Sequence, residues 1–195
     1  FIVTKDCQLA CKYCYLVGKN TKERMSFDVA QKAIDYILSN KELSSAGSVI
    51  WDFIGGEPFL EIDLIDKVCD YIKKKTYELN HHWFDSYRFS FSTNGINYHT
   101  KKIQDFIKKN HNHLSIGITI DGTRQKHDMN RIWKTVDMEK GITPRPEEEV
   151  GSYDDVVKNI PLWQSQFPNA GTKVTISSAD IPYICESVLH LYSLG

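Results

Sequence analysis

The hydrophobic pattern alternates between two periods, and this constrains the fold more than any other feature of the chain. Short runs rich in β-branched and aromatic residues read FIVT (1–4), SVIWDFI (48–54), SYRFSFS (86–92), LSIGITI (114–120) and TKVTI (172–176). Between and after them lie helical periods over 26–38, 61–75, 99–109, 152–166 and 180–192. Ser26 is placed to cap the first helix. Pro161 must kink the fourth helix or end its first part, and Pro182 falls in the first turn of the last. Strand and helix in strict succession imply an α/β fold with a parallel sheet and crossover helices. Crossovers of one hand, without reversal, curl such a sheet toward a barrel. A full eight-unit barrel takes about 250 residues. The 195 residues here therefore predict a partial (β/α) barrel of about five to six units. An open doubly wound sheet is the alternative.

One core domain spanning 1–195 is expected. The chain starts at Phe1 and stops just after a helical pattern, so it reads as a fragment of a longer protein. The stretch 133–150 breaks the rhythm, with two prolines and no clear period, and reads as a long loop. A formal net charge of −1 gives no sign of nucleic acid or an anionic membrane as partner. No apolar run is long enough to span a bilayer, and no signal peptide is visible. Five cysteines, three of them clustered, fit reduced thiols in a cytoplasm better than a secreted disulfide framework. Cys69 shares a helical stripe with Ile62, Ile65 and Ile72, and Cys185 one with Ile181, Val188 and Leu189. Both read as small buried hydrophobes.

The unusual short motifs all follow strands. Cys7, Cys11 and Cys14 follow the first, Gly55-Gly56-Glu57-Pro58 the second, Thr93-Asn94-Gly95 the third and Asp121-Gly122 the fourth. In a parallel barrel the C-terminal strand ends meet on one face, where active sites lie. Strand parity supports a pocket there. Leu114, Ile116, Ile118 and Ile120 share one face of the fourth strand, and Ser115, Gly117, Thr119 and Asp121 share the other. Tyr87, Phe89 and Phe91 likewise oppose Arg88, Ser90, Ser92 and Asn94. The large apolar faces should meet the helices. The small polar faces should line a space for a polar ligand, unless larger neighbours fill it.

Three cysteines spaced C-x3-C-x2-C are one short of a structural zinc site. His81, His82, His111 and His113 could supply a fourth ligand, although a solvated surface is the plainer reading for them. An iron–sulfur cluster held by three thiolates keeps one iron open, and an open position marks a reactive centre.

This cysteine spacing, with aromatic Tyr13 before the last cysteine and GGEP after the second strand, resembles the radical S-adenosylmethionine superfamily. The resemblance runs along essentially the whole chain. It implies that Cys7, Cys11 and Cys14 hold a [4Fe–4S] cluster whose open iron binds S-adenosyl-L-methionine. It also implies that the Tyr13 backbone meets the adenine and that Gly55, Gly56 and Glu57 accept bonds from the methionine ammonium. The two glycines would let carbonyls approach the ligand closely, and the carboxylate would pair with the cation. Thr119 matches the family's hydroxyl near the ribose or carboxylate. Arg131 resembles a basic cofactor contact, with an exposed loop arginine as the alternative. Ser92 and Asn94 are further candidates from parity. An external one-electron reductant is implied, and no side chain stands out as a general base.

TIDGTRQKHDMNR (119–131), STNG (92–95) and GSYDDVVKNI (151–160) resemble the peptide-modifying branch of that family. Its closest wording is that of maturases forming thioether or carbon–carbon crosslinks in ribosomally made peptides. Anaerobic sulfatase-maturating enzymes, which oxidise a cysteine or serine to an aldehyde, are the alternative, and a zinc-binding structural module is a distant third. Peptide maturases usually carry a C-terminal auxiliary-cluster domain and often an N-terminal peptide-binding domain. The 133–150 loop is then expected to cover or contact the peptide.

Overall fold

A computed structural model of the chain describes residues 1–16, 18–135 and 146–195. Four strands, β1 (Ile2–Thr4), β2 (Val49–Gly55), β3 (Tyr87–Thr93) and β4 (Leu114–Ile118), pair in parallel in the order β1-β2-β3-β4. The order is sequential, as a partial barrel requires. A doubly wound sheet needs a reversal of strand order, and the described strands show none.

The crossovers are helical. α1 (Phe27–Ser39) begins where Ser26 accepts a hydrogen bond from the Val29 N–H at 3.2 Å. A 3-10 turn over Pro58–Glu61 leads into α2 (Ile62–Glu78), and α3 (Lys101–Asn110) follows β3. The large faces of the strands meet these helices as parity predicts. Trp51, Phe53, Phe89, Phe91, Leu114, Ile116 and Ile118 form one core with Ile34, Ile65, Ile72, Ile103 and Ile107. Phe53 and Phe91 stack with centroids 5.2 Å apart, a contact of about 1 kcal/mol beyond its buried area. Cys69 is fully buried in this core. The opposite face of the sheet is open: Ile50, Asp52, Arg88, Ser92 and Ser115 are exposed.

In the chain's second half the fifth strand and the last helix depart from expectation, while the division at Pro161 follows it. The predicted fifth strand over 172–176 reduces to one parallel bridge, Thr119 to Lys173. Lys173 exchanges backbone bonds with Ile118 and Ile120, but the next N–H, from Thr175, goes to the Asp121 carboxylate at 3.2 Å. A side chain there takes the place of a ladder carbonyl, and the pairing stops. The helix around Pro161 divides into α5 (Tyr153–Val157) and α6 (Ile160–Gln166), with the proline in the first turn of α6. The last helix is a 3-10 segment (Ser178–Tyr183) followed by α7 (Ile184–Ser193). The face it buries is not its apolar stripe. Ile181, Val188 and Leu189 are exposed, and so is Cys185, contrary to the sequence reading. Ser187 faces inward instead, against Gly122, where an added Cβ would lie 2.3 Å from the serine Cβ. Of the 133–150 stretch, 136–145 lie outside the described residues. Its ends are ordered: the Trp133 N–H donates to Val150 O at 2.8 Å.

The helix that sequence reasoning missed is α4 (Arg124–Asn130), capped by Thr123. It has no apolar stripe because its buried side chains are Lys126 and His127. Lys126 pairs with Asp180 at 2.6 Å. His127 is fully buried. The Asp121 N–H approaches its Nδ1 at 3.4 Å, and its Nε2 lies 3.1 Å from Ser152 Oγ. Ser152 Oγ–H donates to Arg131 O at 2.8 Å, so the imidazole proton must sit on Nε2. No helix among the described residues is long and apolar enough to cross a membrane.

Burial, reinforced by Arg131 and Lys126, pushes His127 down to about 3 from an ordinary 6.5. A second ring proton would also confront the Asp121 N–H. Below pH 6.5 the unfolded histidine therefore binds a proton that the folded one refuses. Stability contributed by neutral His127 is complete above that pH and falls as pH drops toward 3, at most about 1.4 kcal/mol per pH unit. Urea unfolding from about pH 7 to about pH 5 should show this slope, and His127→Gln should flatten it. An equal slope in the variant would rule out His127 as its source.

Candidate active site

The cysteine loop leaves β1 and is fixed by backbone bonds to the segment after α4. The Ala10 N–H donates to Ile132 O at 2.8 Å, Lys12 N–H to Asn130 O at 3.0 Å and Lys134 N–H to Gln8 O at 2.8 Å. Leu9, almost fully buried, anchors the centre of this ribbon. Ile132 pairs in turn with Gly151. The backbones between Cys7 and Cys14 are thus held although the thiols have no bonds to one another. All three thiols are half-buried. Burial, with Glu57 nearby, pushes Cys7 up to about 12, and burial also raises Cys11, while the Arg131 and Lys19 cations pull Cys11 back. Thiols in such a place need a metal or cluster to become thiolates.

Among the described residues, no three His, Cys, Asp or Glu side chains converge on one metal-ion position. The three thiols do line a common cavity. Three thiols are one short of a closed tetrahedral zinc site and match a four-iron cluster with one open iron, in which each thiolate takes a separate iron.

GGEP has a structural cause that the sequence did not reveal. Added Cβ atoms on Gly55 and Gly56 would lie 2.3 Å from Thr4 O and 2.1 Å from Asp6 O. The glycines let the β2 exit run hard against the β1 exit, with Gly56 and Glu57 N–H groups donating to Thr4 O and Asp6 O, each at 2.8 Å. The Glu57 carboxylate is also engaged internally. Oε1 accepts from Phe59 N–H at 3.1 Å and Thr93 Oγ1–H at 2.7 Å, and Oε2 accepts from Asn94 N–H at 2.8 Å. Burial raises its pKa and these donors lower it. Pairing of this carboxylate with a ligand ammonium, expected from sequence, would add a partner to oxygens that already hold three protein donors. The main chain of 55–57 remains to line the cavity.

Asn94 closes the arrangement. Its Nδ2 donates to Gln8 Oε1 at 3.1 Å and approaches Cys7 Sγ at 3.8 Å. Arg131 is not an exposed loop residue, being only 6% accessible. Its Nη1 donates to the Tyr13 hydroxyl at 2.8 Å, and that hydroxyl donates to Asp121 Oδ2 at 2.6 Å.

One cavity of about 550 Å³ is lined by all eleven residues singled out from the sequence: Cys7, Cys11, Cys14, Tyr13, Gly55, Gly56, Glu57, Ser92, Asn94, Thr119 and Arg131. Asp52, Lys19, Lys173 and Thr175 also line it and were missed. Strand parity applied to β2 would have found Asp52, two residues before Ile54 and between the buried Trp51 and Phe53. Lys19 and Lys173 carry no sequence signal.

Glu57→Gln should destabilise the chain by about 1–3 kcal/mol, because an amide cannot accept from donors on both sides of the former carboxylate. Denaturant unfolding measures this. An unchanged midpoint would mean that the clamp contributes nothing net.

A family model described as the radical SAM superfamily matches residues 1–176. An uncharacterized protein of Methanocaldococcus jannaschii is 31% identical over 195 residues, 99% of this chain and 57% of that protein. A cysteine-type anaerobic sulfatase-maturating enzyme of Clostridium novyi is 27% identical over 165 residues, 82% of this chain and 38% of that protein. The structure of native anSMEcpe with bound AdoMet and Kp18Cys peptide superposes with a TM-score of 0.72 at 17% identity, covering 98% of this chain and 48% of that one. The chain thus spans 57% or less of the length of each of these proteins, and the structural likeness establishes a shared fold. The family model runs through all four strands and the cavity between them, and the chain therefore belongs to the radical SAM superfamily, whose enzymes work with a [4Fe–4S] cluster and S-adenosylmethionine.

Proposed function

We propose that residues 1–195 form the radical-generating core of an enzyme that modifies a peptide or protein. The observation that carries this reading is the convergence of eleven residues from four strand ends and the α4 exit on one cavity. In it Cys7, Cys11 and Cys14 hold the cluster. The backbone of Gly55–Glu57 receives the methionine end of the cofactor, and the Tyr13 backbone the adenine. Ser92 and Thr119 offer hydroxyls from the open face of the sheet. Asn94 steadies the cysteine loop through Gln8, and Arg131 brings a cation to an otherwise thiolate-rich wall. When bound and reduced by an external one-electron donor, the cofactors supply a 5′-deoxyadenosyl radical that takes a hydrogen atom from the substrate. The protein's part is to fix the groups and exclude water and stray C–H bonds.

A peptide substrate is supported by the wording of residues 119–131 and 151–160 and by the peptide present in the anSMEcpe structure. Crosslinking of a ribosomally made peptide is the reaction we favour from the sequence. The similarity to a sulfatase-maturating enzyme supports a second reading, oxidation of a cysteine to an aldehyde.

Anaerobic reconstitution tests the core claim. The chain should take up about four irons and four sulfides and, with dithionite, cleave S-adenosylmethionine to methionine and 5′-deoxyadenosine. Cys11→Ala should lose both properties while keeping its circular dichroism. A colourless protein binding one zinc in a closed four-ligand site would overturn the reading. Mass spectrometry of cysteine-containing peptides then separates crosslink from aldehyde.

A further inference from the structure

We propose that the Tyr13 hydroxyl is a spacer that keeps Arg131 from collapsing onto Asp121 and so holds its guanidinium against the cavity. This rests on the reading of that cavity as the cofactor site. Arg131 is 6% accessible and Asp121 fully buried. Opposite charges in so dry a place attract strongly, and guanidinium and carboxylate are shaped for a two-bond pair. They do not form one. The phenol oxygen stands between them, accepting from Arg131 Nη1 at 2.8 Å and donating to Asp121 Oδ2 at 2.6 Å.

Both ends of this bridge are fixed from behind. The other oxygen of Asp121 accepts from Thr175 N–H, and the Asp121 N–H is directed to His127. Arg131 is held by its backbone: its N–H donates to His127 O, and its carbonyl accepts from Ser152 N–H and Ser152 Oγ–H. The hydrogen bond described for its guanidinium is the one from Nη1 to the phenol. Arg131 lines the cavity beside Cys11, while its Nε is sealed inside the protein without a hydrogen-bond partner. A guanidinium kept on the cavity lining, while a carboxylate lies one oxygen atom away, is an arrangement that the phenol maintains. Tyr13 and Asp121 are positioning residues in this account.

Removing the hydroxyl with Tyr13→Phe should let Arg131 close on Asp121. The second substitution, Asp121→Asn, removes the charge that attracts it. Tyr13→Phe/Asp121→Asn should therefore return the guanidinium to the cavity, although it carries one more change. Thermal melting first establishes that each variant is folded. Crystal structures then read the Arg131–Asp121 contact directly, independently of any cofactor. In the reconstituted protein, Tyr13→Phe should keep its iron, raise KM for S-adenosylmethionine about tenfold, as for one lost charge-assisted hydrogen bond, and shift the cluster potential to more negative values. The double variant should recover most of both effects. A merely structural role for Tyr13 predicts the opposite, a double variant worse than either single one. That outcome, or an unmoved Arg131 in the Tyr13→Phe structure, overturns the proposal. If Tyr13→Phe does not fold, the same substitution in the Asp121→Asn background decides: loss of the guanidinium from the cavity there would equally overturn it. A wild-type chain that takes up no cluster defeats the cofactor reading, while the variant structures still judge the spacer.

Discussion

A ring of hydrogen bonds through the buried carboxylate of Glu57 ties three strand ends together, and the cavity depends on it. The Glu57 N–H reaches Asp6 beyond β1, its carboxylate reaches Thr93 and Asn94 at the end of β3, and Asn94 returns to Gln8 inside the cysteine loop. Parallel strands leave their C-terminal ends without partners of their own. Here one acid accepts three donors, and the loops that carry the thiols are thereby referenced to the sheet. A buried carboxylate with fewer partners would carry a desolvation penalty with nothing to offset it.

Much of this architecture was legible because its causes are local or periodic. The β2, β3 and β4 runs, the Ser26 cap and the division at Pro161 follow from side-chain alternation, a capping hydroxyl and a missing N–H. The site was legible because the fold gathers the strand ends, so motifs far apart in sequence had to meet. What escaped has a common physical character. The α4 helix buries a lysine and a histidine, which a search for apolar stripes passes over. Cys185 lies on an apolar stripe, yet the helix packs through Ser187, close enough to Gly122 that a side chain at 122 would clash with it. The fifth strand stops where the Asp121 side chain takes the next N–H. Glu57 lines the cavity that its motif adjoins, but the three protein donors on its oxygens carry no local signal. In each case a long-range polar contact decided the outcome.

Behind Tyr13 and Arg131 on the cavity lining, the protein is correspondingly polar. His127, Ser152, Arg131, Tyr13 and Asp121 form a continuous path of hydrogen bonds. Such networks specify one arrangement when every member is satisfied. The orphaned Nε of Arg131 is the place where this one is incomplete.

The pairing of Trp133 with Val150 has an evolutionary consequence. Because the two residues are bonded to each other, the chain leaves and returns at one place beside the cysteine loop, and its described ends hold that loop as well: the Lys134 N–H reaches Gln8 O, and Lys12 pairs with Glu149. Any change of length between those ends must leave both of them seated, so selection on the cysteines reaches residues far from them in sequence.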